Sequence, residues 1–86
     1  MVSRDVTVKG STGLHARPAT LLVKKASSFK SDVLIEIDGK NANAKSLIGV
    51  LSLGVKSGSV VNITTSGVDE KYALEEILKL IESLNE

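Results

Sequence analysis

The spacing of apolar residues changes several times along this 86-residue chain, and this alternation constrains the fold strongly. Near the start, valines alternate with polar residues, which predicts a first strand over about residues 2–9. The apolar residues then recur at helical spacing, which predicts a helix over about 16–28. Pro18 is compatible with that helix only because it lies in the first turn, where its missing N–H has no intrahelical partner.

The middle of the chain returns to strand-like alternation in "DVLIEI". Asp38-Gly39 follows, a pair typical of two-residue hairpin turns, so we expect a short returning strand over about 40–44. The segment "SLIGVLSLG" predicts a short helix that begins at Ser46 and ends near Gly54.

The last third of the chain predicts one more strand and one more helix. "VVNITTSG" predicts a strand over about 60–66, and Asp69 is the expected N-cap of the final helix. The resulting order is βαββαβα. Because all three helices carry an apolar stripe that must be covered, we expect an α+β fold. It is an open-faced two-layer sandwich, with three helices on one face of a four-stranded antiparallel sheet, and residues 1–86 form one domain.

Composition excludes several functional classes. The net charge is only +1 and Phe29 and Tyr72 are the sole aromatic residues, which argues against direct nucleic-acid binding. The chain has no cysteine, no apparent signal peptide and no apolar run of about 18 residues. We therefore expect a cytoplasmic protein that does not insert into membranes. We also expect no cofactor.

His15 is the only histidine, and it has a structural and a functional interpretation. A lone histidine in a small domain is more often structural than chemical. A zinc site is disfavoured because there is no second histidine or cysteine to share the metal. A hydrolase is disfavoured because no serine lies in a GxSxG turn.

The functional interpretation of His15 depends on its position beside a predicted helix start. Helix N-termini expose unpaired N–H groups and bind phosphate well. Arg17 adds a cation whose geometry suits phosphate oxygens. Both groups disfavour imidazolium and should lower the pKa of His15, leaving a neutral nitrogen as the nucleophile. On physical grounds alone, both interpretations stay open.

Two separate motifs, "GLHARPA" and "KSLIGVLSLG", closely resemble the HPr family, the histidine-containing phosphocarriers of the bacterial phosphoenolpyruvate:sugar phosphotransferase system. The resemblance covers essentially the whole chain. It implies that His15 takes a phosphoryl group on Nδ1 from phosphorylated enzyme I and passes it to the A component of a sugar permease. Arg17 would assist, and the backbone N–H groups of Ala16 and Arg17 would cradle the group. This is the role of a carrier and not of an enzyme.

Ser46 also has two interpretations. Its position before a helix predicts an N-cap. In the family that it resembles, the matching serine is phosphorylated by an ATP-dependent HPr kinase/phosphorylase, and the product is a corepressor of the catabolite-control protein CcpA. Both roles are compatible, because phosphate at a helix N-terminus is favourable.

The short helix carries more apolar residues than one buried face requires. Val50 and Leu53 can face the core, and a second stripe remains, formed by Leu47, Ile48 and Leu51. This stripe predicts either deeper burial of the whole helix or an exposed interface. The resemblance favours an interface, made by this helix together with the first one.

Thr20 and Lys24 are expected to complete the rim of that interface, and Lys24 could meet an acidic partner. We expect a monomer. Alternatives remain within the resemblance. A regulatory paralogue, Crh, lacks the active histidine, so the presence of His15 disfavours a non-catalytic interaction module. A nitrogen-related phosphocarrier paralogue keeps the histidine, although "KSLIGV" favours the sugar branch.

Overall fold

A computed structural model describes residues 1–8 and 16–83 of the chain. Seven elements follow one another in the predicted βαββαβα order. They are β1 (Val2–Thr7), α1 (Ala16–Ser27), β2 (Asp32–Ile37), β3 (Lys40–Asn43), α2 (Leu47–Ser52), β4 (Val60–Ser66) and α3 (Glu70–Ser83). The end of the predicted first strand, at residue 9, lies outside the described residues.

The four strands form one antiparallel sheet in the order β1-β4-β2-β3. β4 is therefore central, although it is the last strand in the sequence. Its Ile63 lies opposite Arg4 of β1 on one side and Ile35 of β2 on the other. β1 and β3 are the two edges of the sheet.

The core lies between the helices and one face of the sheet, as predicted. α3 packs against β1 and β4, while α1 contacts both α2 and α3. The core is aliphatic, and its largest fully buried hydrophobic residues are Leu22, Ile35, Ile63, Ile77 and Ile81. Alternate residues of each strand point to the other face, which stays open to solvent. No helix within residues 1–8 and 16–83 is long and apolar enough to cross a membrane.

The turn between β2 and β3 has the predicted hairpin geometry. Asp38 and Gly39 both have positive φ, at 51° and 79°. Two consecutive positive φ angles define the type I′ turn that matches the twist of paired strands. The short helix α2 begins after Ser46, as predicted, and ends at Ser52, slightly before the expected boundary near Gly54.

Asp69 occupies the predicted N-cap position of α3, but its side chain is used differently. Its carbonyl accepts the hydrogen bond of the Ala73 N–H, at 2.8 Å, as an N-cap residue should. Its carboxylate accepts hydrogen bonds from the backbone N–H groups of Lys30 and Ser31. The carboxylate therefore holds the loop between α1 and β2 against the start of α3.

Candidate functional site

The N-terminus of α1 is the centre of the candidate site. α1 begins at Ala16, the residue that follows His15, and both Ala16 and Arg17 are exposed. The first N–H groups of a helix have no intrahelical partner and carry partial positive charge. His15 itself lies outside the described residues, so its predicted role and lowered pKa stay predictions.

The first turn of α1 is fixed by packing and by one side-chain hydrogen bond. Ala19 is fully buried and Pro18 is half-buried, which anchors the turn against the core. The hydroxyl of Thr20 donates a hydrogen bond to the carbonyl of Ala16 over 2.6 Å. The groups predicted to hold a phosphoryl group thus belong to a turn that is held in place by core packing and by this hydrogen bond.

One exposed face of α1 carries the predicted interface residues. Arg17, Thr20 and Lys24 are all exposed and recur at helical spacing. Leu21 lies on the same face with 44% of its surface exposed, and the sequence analysis did not select it. The helical pattern places Leu21 on a different side from the buried Leu22, but it does not show how much of Leu21 neighbouring residues cover.

The other end of α1 is tied to α3. The ammonium of Lys25 lies 3.3 Å from a carboxylate oxygen of Glu76. The hydrogen bond from Lys25 holds the pKa of the Glu76 carboxyl below its ordinary value. Lys24, the neighbour of Lys25, remains on the exposed side of α1.

Ser46 is the N-cap of α2. Its backbone is extended, and its Oγ accepts a hydrogen bond from the N–H of Gly49 over 3.2 Å. The residue is only half-buried, so the hydroxyl borders solvent. The ammonium of the preceding Lys45 donates to the carbonyl of Phe29, just after α1, over 3.0 Å. This contact ties the start of α2 to the end of α1.

α2 exposes the second apolar stripe. Val50 and Leu53 are buried, while the other three residues are exposed to 37% for Leu47, 82% for Ile48 and 38% for Leu51. Deeper burial of the whole helix is therefore excluded. Because α1 and α2 are in contact, we define the α1–α2 face as seven of their exposed residues, Arg17, Thr20, Leu21, Lys24, Leu47, Ile48 and Leu51.

Metal ligands are not clustered in the part of the chain that the structure describes: no three Asp, Glu or His side chains there come together. The α1–α2 face combines cations, a hydroxyl and apolar side chains beside a helix N-terminus. Such a surface is suited to an anion and to a protein partner.

Comparison with known proteins identifies the family. A family model described as "PTS HPr component phosphorylation site" matches residues 2–83. The chain therefore belongs to the HPr family of the phosphotransferase system.

Curated relatives include both branches of this family. The chain is 49% identical to the HPr-like protein Crh of Halalkalibacterium halodurans, over 95% of this chain and 98% of the relative. It is 44% identical to the phosphocarrier protein HPr of Buchnera aphidicola, over 98% of this chain and 99% of the relative. The resemblance to HPr predicted from the motifs is confirmed.

Solved structures confirm the predicted fold. HPr-C-His of Thermoanaerobacter tengcongensis superposes with a TM-score of 0.95 at 46% identity, covering 98% of this chain and 94% of that one. Crh of Bacillus subtilis, described as a swapped dimer, superposes with a TM-score of 0.79 at 44% identity, covering 100% and 99%. Relatives of similar identity thus include a dimer, so family membership alone does not support the expected monomer.

Proposed function

We propose that this protein is a phosphocarrier that accepts a phosphoryl group at His15 from phosphorylated enzyme I and passes it to the A components of sugar permeases. The observation that carries the proposal is the start of α1 at Ala16, directly after His15, with Arg17 exposed in the first turn. In the first transfer the bond between phosphorus and enzyme I breaks as the bond to His15 Nδ1 forms. In the second transfer the bond between phosphorus and His15 Nδ1 breaks as a bond to the A component forms. The protein is a stoichiometric intermediate and not a turnover catalyst.

The charge distribution supports this step. Phosphoryl transfer asks mainly for positioning and for stabilisation of negative charge. The first N–H groups of α1, which have no partner within the helix, supply one stabilising element and the Arg17 guanidinium supplies another. The same groups disfavour a proton on His15, which keeps its nitrogen nucleophilic.

Ser46 is proposed as a regulatory phosphorylation site for an HPr kinase/phosphorylase, with CcpA as the partner of the modified form. Its half-exposed hydroxyl at the start of α2 supports this role. A phosphate there would add about two negative charges to the α1–α2 face, on which enzyme I is proposed to dock. Repulsion and desolvation would then slow phosphoryl transfer without unfolding the domain.

A second candidate function is that of a regulatory interaction module that uses the α1–α2 face without carrying a phosphoryl group. The similarity to Crh at 49% identity favours this candidate. We propose in either case a cytoplasmic protein. We also propose a monomer, and the pairing of β1 with β4 of the same chain supports this.

The decisive experiment is phosphorylation with phosphoenolpyruvate and enzyme I. We expect an acid-labile adduct on the wild type and none on His15→Ala, with transfer onward to an A component. Ser46→Ala is the matched control, because it should keep the acid-labile label and lose the acid-stable label given by kinase and ATP. Equal labelling of His15→Ala and wild type, or no labelling of either, contradicts the carrier function.

A further inference from the structure

The free edge of β1 borders a groove on the side of the molecule formed by α3. The groove encloses about 450 Å³, and Val2, Leu74 and Leu78 form its apolar floor. Arg4, Lys71 and Glu75 stand around it, and all three are exposed. This groove lies on β1 and α3, whereas the α1–α2 face is built from the other two helices.

The rim of the groove carries excess positive charge. Neither Arg4 nor Lys71 makes an ion pair within residues 1–8 and 16–83. Glu70, the acid next to Lys71, is already engaged by the amino-terminal ammonium of Met1 over 2.8 Å. Two cations against the single carboxylate of Glu75 leave a site that attracts an acidic group.

Beside this groove, the backbone of β1 has hydrogen-bonding groups that no residue within 1–8 and 16–83 pairs with. The N–H of Val8 donates to Ser59 over 2.8 Å, and its carbonyl accepts from Gly58 over 2.7 Å. The direction of the N–H and C=O groups alternates from one residue to the next along an antiparallel strand. The backbone groups of the even-numbered residues of β1 therefore point towards β4. Ser3, Asp5 and Thr7 therefore direct their N–H and C=O groups to the open edge, where an added strand could pair.

A second copy of this chain is disfavoured as the occupant. When two copies of β1 pair antiparallel about a two-fold axis, the side chains of opposing residues lie on the same face of the sheet. The residue at the axis therefore lies directly opposite the same residue of the other copy. The two longest overlaps of β1 with itself are centred on Arg4 or on Asp5. Each places two like charges directly opposite one another, which destabilises the pairing.

We propose that the edge of β1 binds an extended acidic segment of another protein as a fifth strand. On the inward side, an acidic side chain of that segment would lie near Arg4 and Lys71. Apolar side chains two residues to either side would cover Val2 and Leu74. Binding at this edge leaves the α1–α2 face free, so both surfaces can be occupied at once.

The test is a titration of the ¹⁵N-labelled protein with the acetylated and amidated peptide TVTETVT. We expect chemical-shift changes at Ser3, Asp5 and Thr7, and slower exchange of their amide hydrogens. The control peptide TVTKTVT should bind more weakly. The TVTETVT peptide N-methylated at its two central threonines should not bind, because it lacks the N–H groups that face β1.

Two variants separate charge from folding. Arg4→Gln should weaken binding of TVTETVT about two- to fivefold, as expected for a solvent-exposed ion pair. Lys56→Gln, at an exposed position between α2 and β4, should leave it unchanged. Unfolding of each variant by urea checks that the fold is kept. The proposal would be overturned if chemical-shift changes were confined to other residues or if both charged peptides bound equally. It would also be overturned if the N-methylated peptide still bound, or if TVTETVT did not bind at millimolar concentration.

Discussion

The carboxylate of Asp69 accepts one hydrogen bond from the backbone N–H of Ser31, over 2.9 Å, and another from its hydroxyl. Ser31 is fully buried and immediately precedes β2, so the pair joins two loops that are 38 residues apart in sequence. The Ser31 hydroxyl and the backbone N–H of Lys30 hold the pKa of the Asp69 carboxyl below its ordinary value of 3.8. This junction therefore responds to acid.

Replacing Asp69 with asparagine should make the fold less stable at neutral pH. Because the pKa is lower in the folded state, the ionised carboxylate stabilises that state at pH values above its ordinary value of 3.8. The contribution is lost as the pH falls through the lowered pKa. The difference in free energy of unfolding between wild type and Asp69→Asn should therefore be largest near pH 7 and shrink below pH 3.8, in urea titrations at a series of pH values.

The control for this prediction is Asp32→Asn, at an exposed position on the open face of the sheet. We expect it to change the free energy of unfolding at pH 7 by no more than about 0.5 kcal/mol. A difference between wild type and Asp69→Asn that stays constant from pH 7 to pH 2 would contradict the role assigned to the carboxylate.

Gly67 should resist substitution more strongly than another glycine of positive φ. It has φ of 153°, and a Cβ atom there would lie 2.7 Å from the Cα of Ser31. Gly58 has φ of 86° and nothing within 4 Å of the same position. Gly67→Ala should therefore cost about 1–3 kcal/mol more than Gly58→Ala, measured by chemical denaturation. Equal losses of stability in the two variants would show that the positive φ angle, and not the close approach of Ser31, determines the cost.

Arg17 should contribute to the rate of phosphoryl transfer. Arg17→Gln removes a charge-assisted hydrogen bond to the transferring group, worth about 1.5–3 kcal/mol. We expect the rate of phosphorylation by enzyme I to fall about tenfold or more. Arg17→Lys should recover part of this rate, and Lys40→Gln, at an exposed position on the β3 edge, should not reduce it. An unchanged rate in Arg17→Gln would exclude the proposed role.

Ile48 should contribute to partner binding and not to folding. It is 82% exposed in α2, and Val68, between β4 and α3, is 88% exposed. Ile48→Ser should weaken the binding of enzyme I about five- to tenfold, while Val68→Ser should not. Both variants should unfold within about 0.5 kcal/mol of wild type. If the two variants bind alike in titration calorimetry, the apolar stripe of α2 is not part of the interface.

Charge at Ser46 should slow phosphoryl transfer while the N-cap is kept. Asp and Asn have nearly the same shape and both cap helices well, so Ser46→Asp and Ser46→Asn differ mainly in charge. We expect slower phosphorylation by enzyme I for Ser46→Asp only, in stopped-flow or quench measurements. Ser46→Ala should instead lose about 1 kcal/mol of stability. Equal rates for the Asp and Asn variants would exclude the electrostatic mechanism.

The sequence predicted all seven elements because the spacing of apolar residues reflects which side chains are buried. It also predicted the two-residue hairpin turn at Asp38 and Gly39, since a local turn depends on local residues. It did not predict that β4 lies between β1 and β2, because strand order depends on contacts between distant segments. The contact between Asp69 and Ser31 was missed for the same reason.

The candidate site was predictable to a similar degree. The two stripes of α2 were separated correctly, because Val50 and Leu53 lie on a different side of the helix from the exposed residues. Leu21 was missed, since a helical pattern shows which face a residue occupies but not how much of it neighbours cover. The proposed roles of Arg17 and Ser46 follow from the family and from their positions at helix starts.

The central position of β4 has a consequence for how the protein is made. Val2 pairs with Thr65, so the first strand has no partner until β4 has left the ribosome. β2 meets β4 just as late, and only the β2–β3 hairpin can pair early. An interrupted synthesis product that already contains His15 and Ser46 would therefore lack the sheet on which α1 and α2 rest. Both proposed phosphorylation sites gain their structural setting together, once β4 is available to pair.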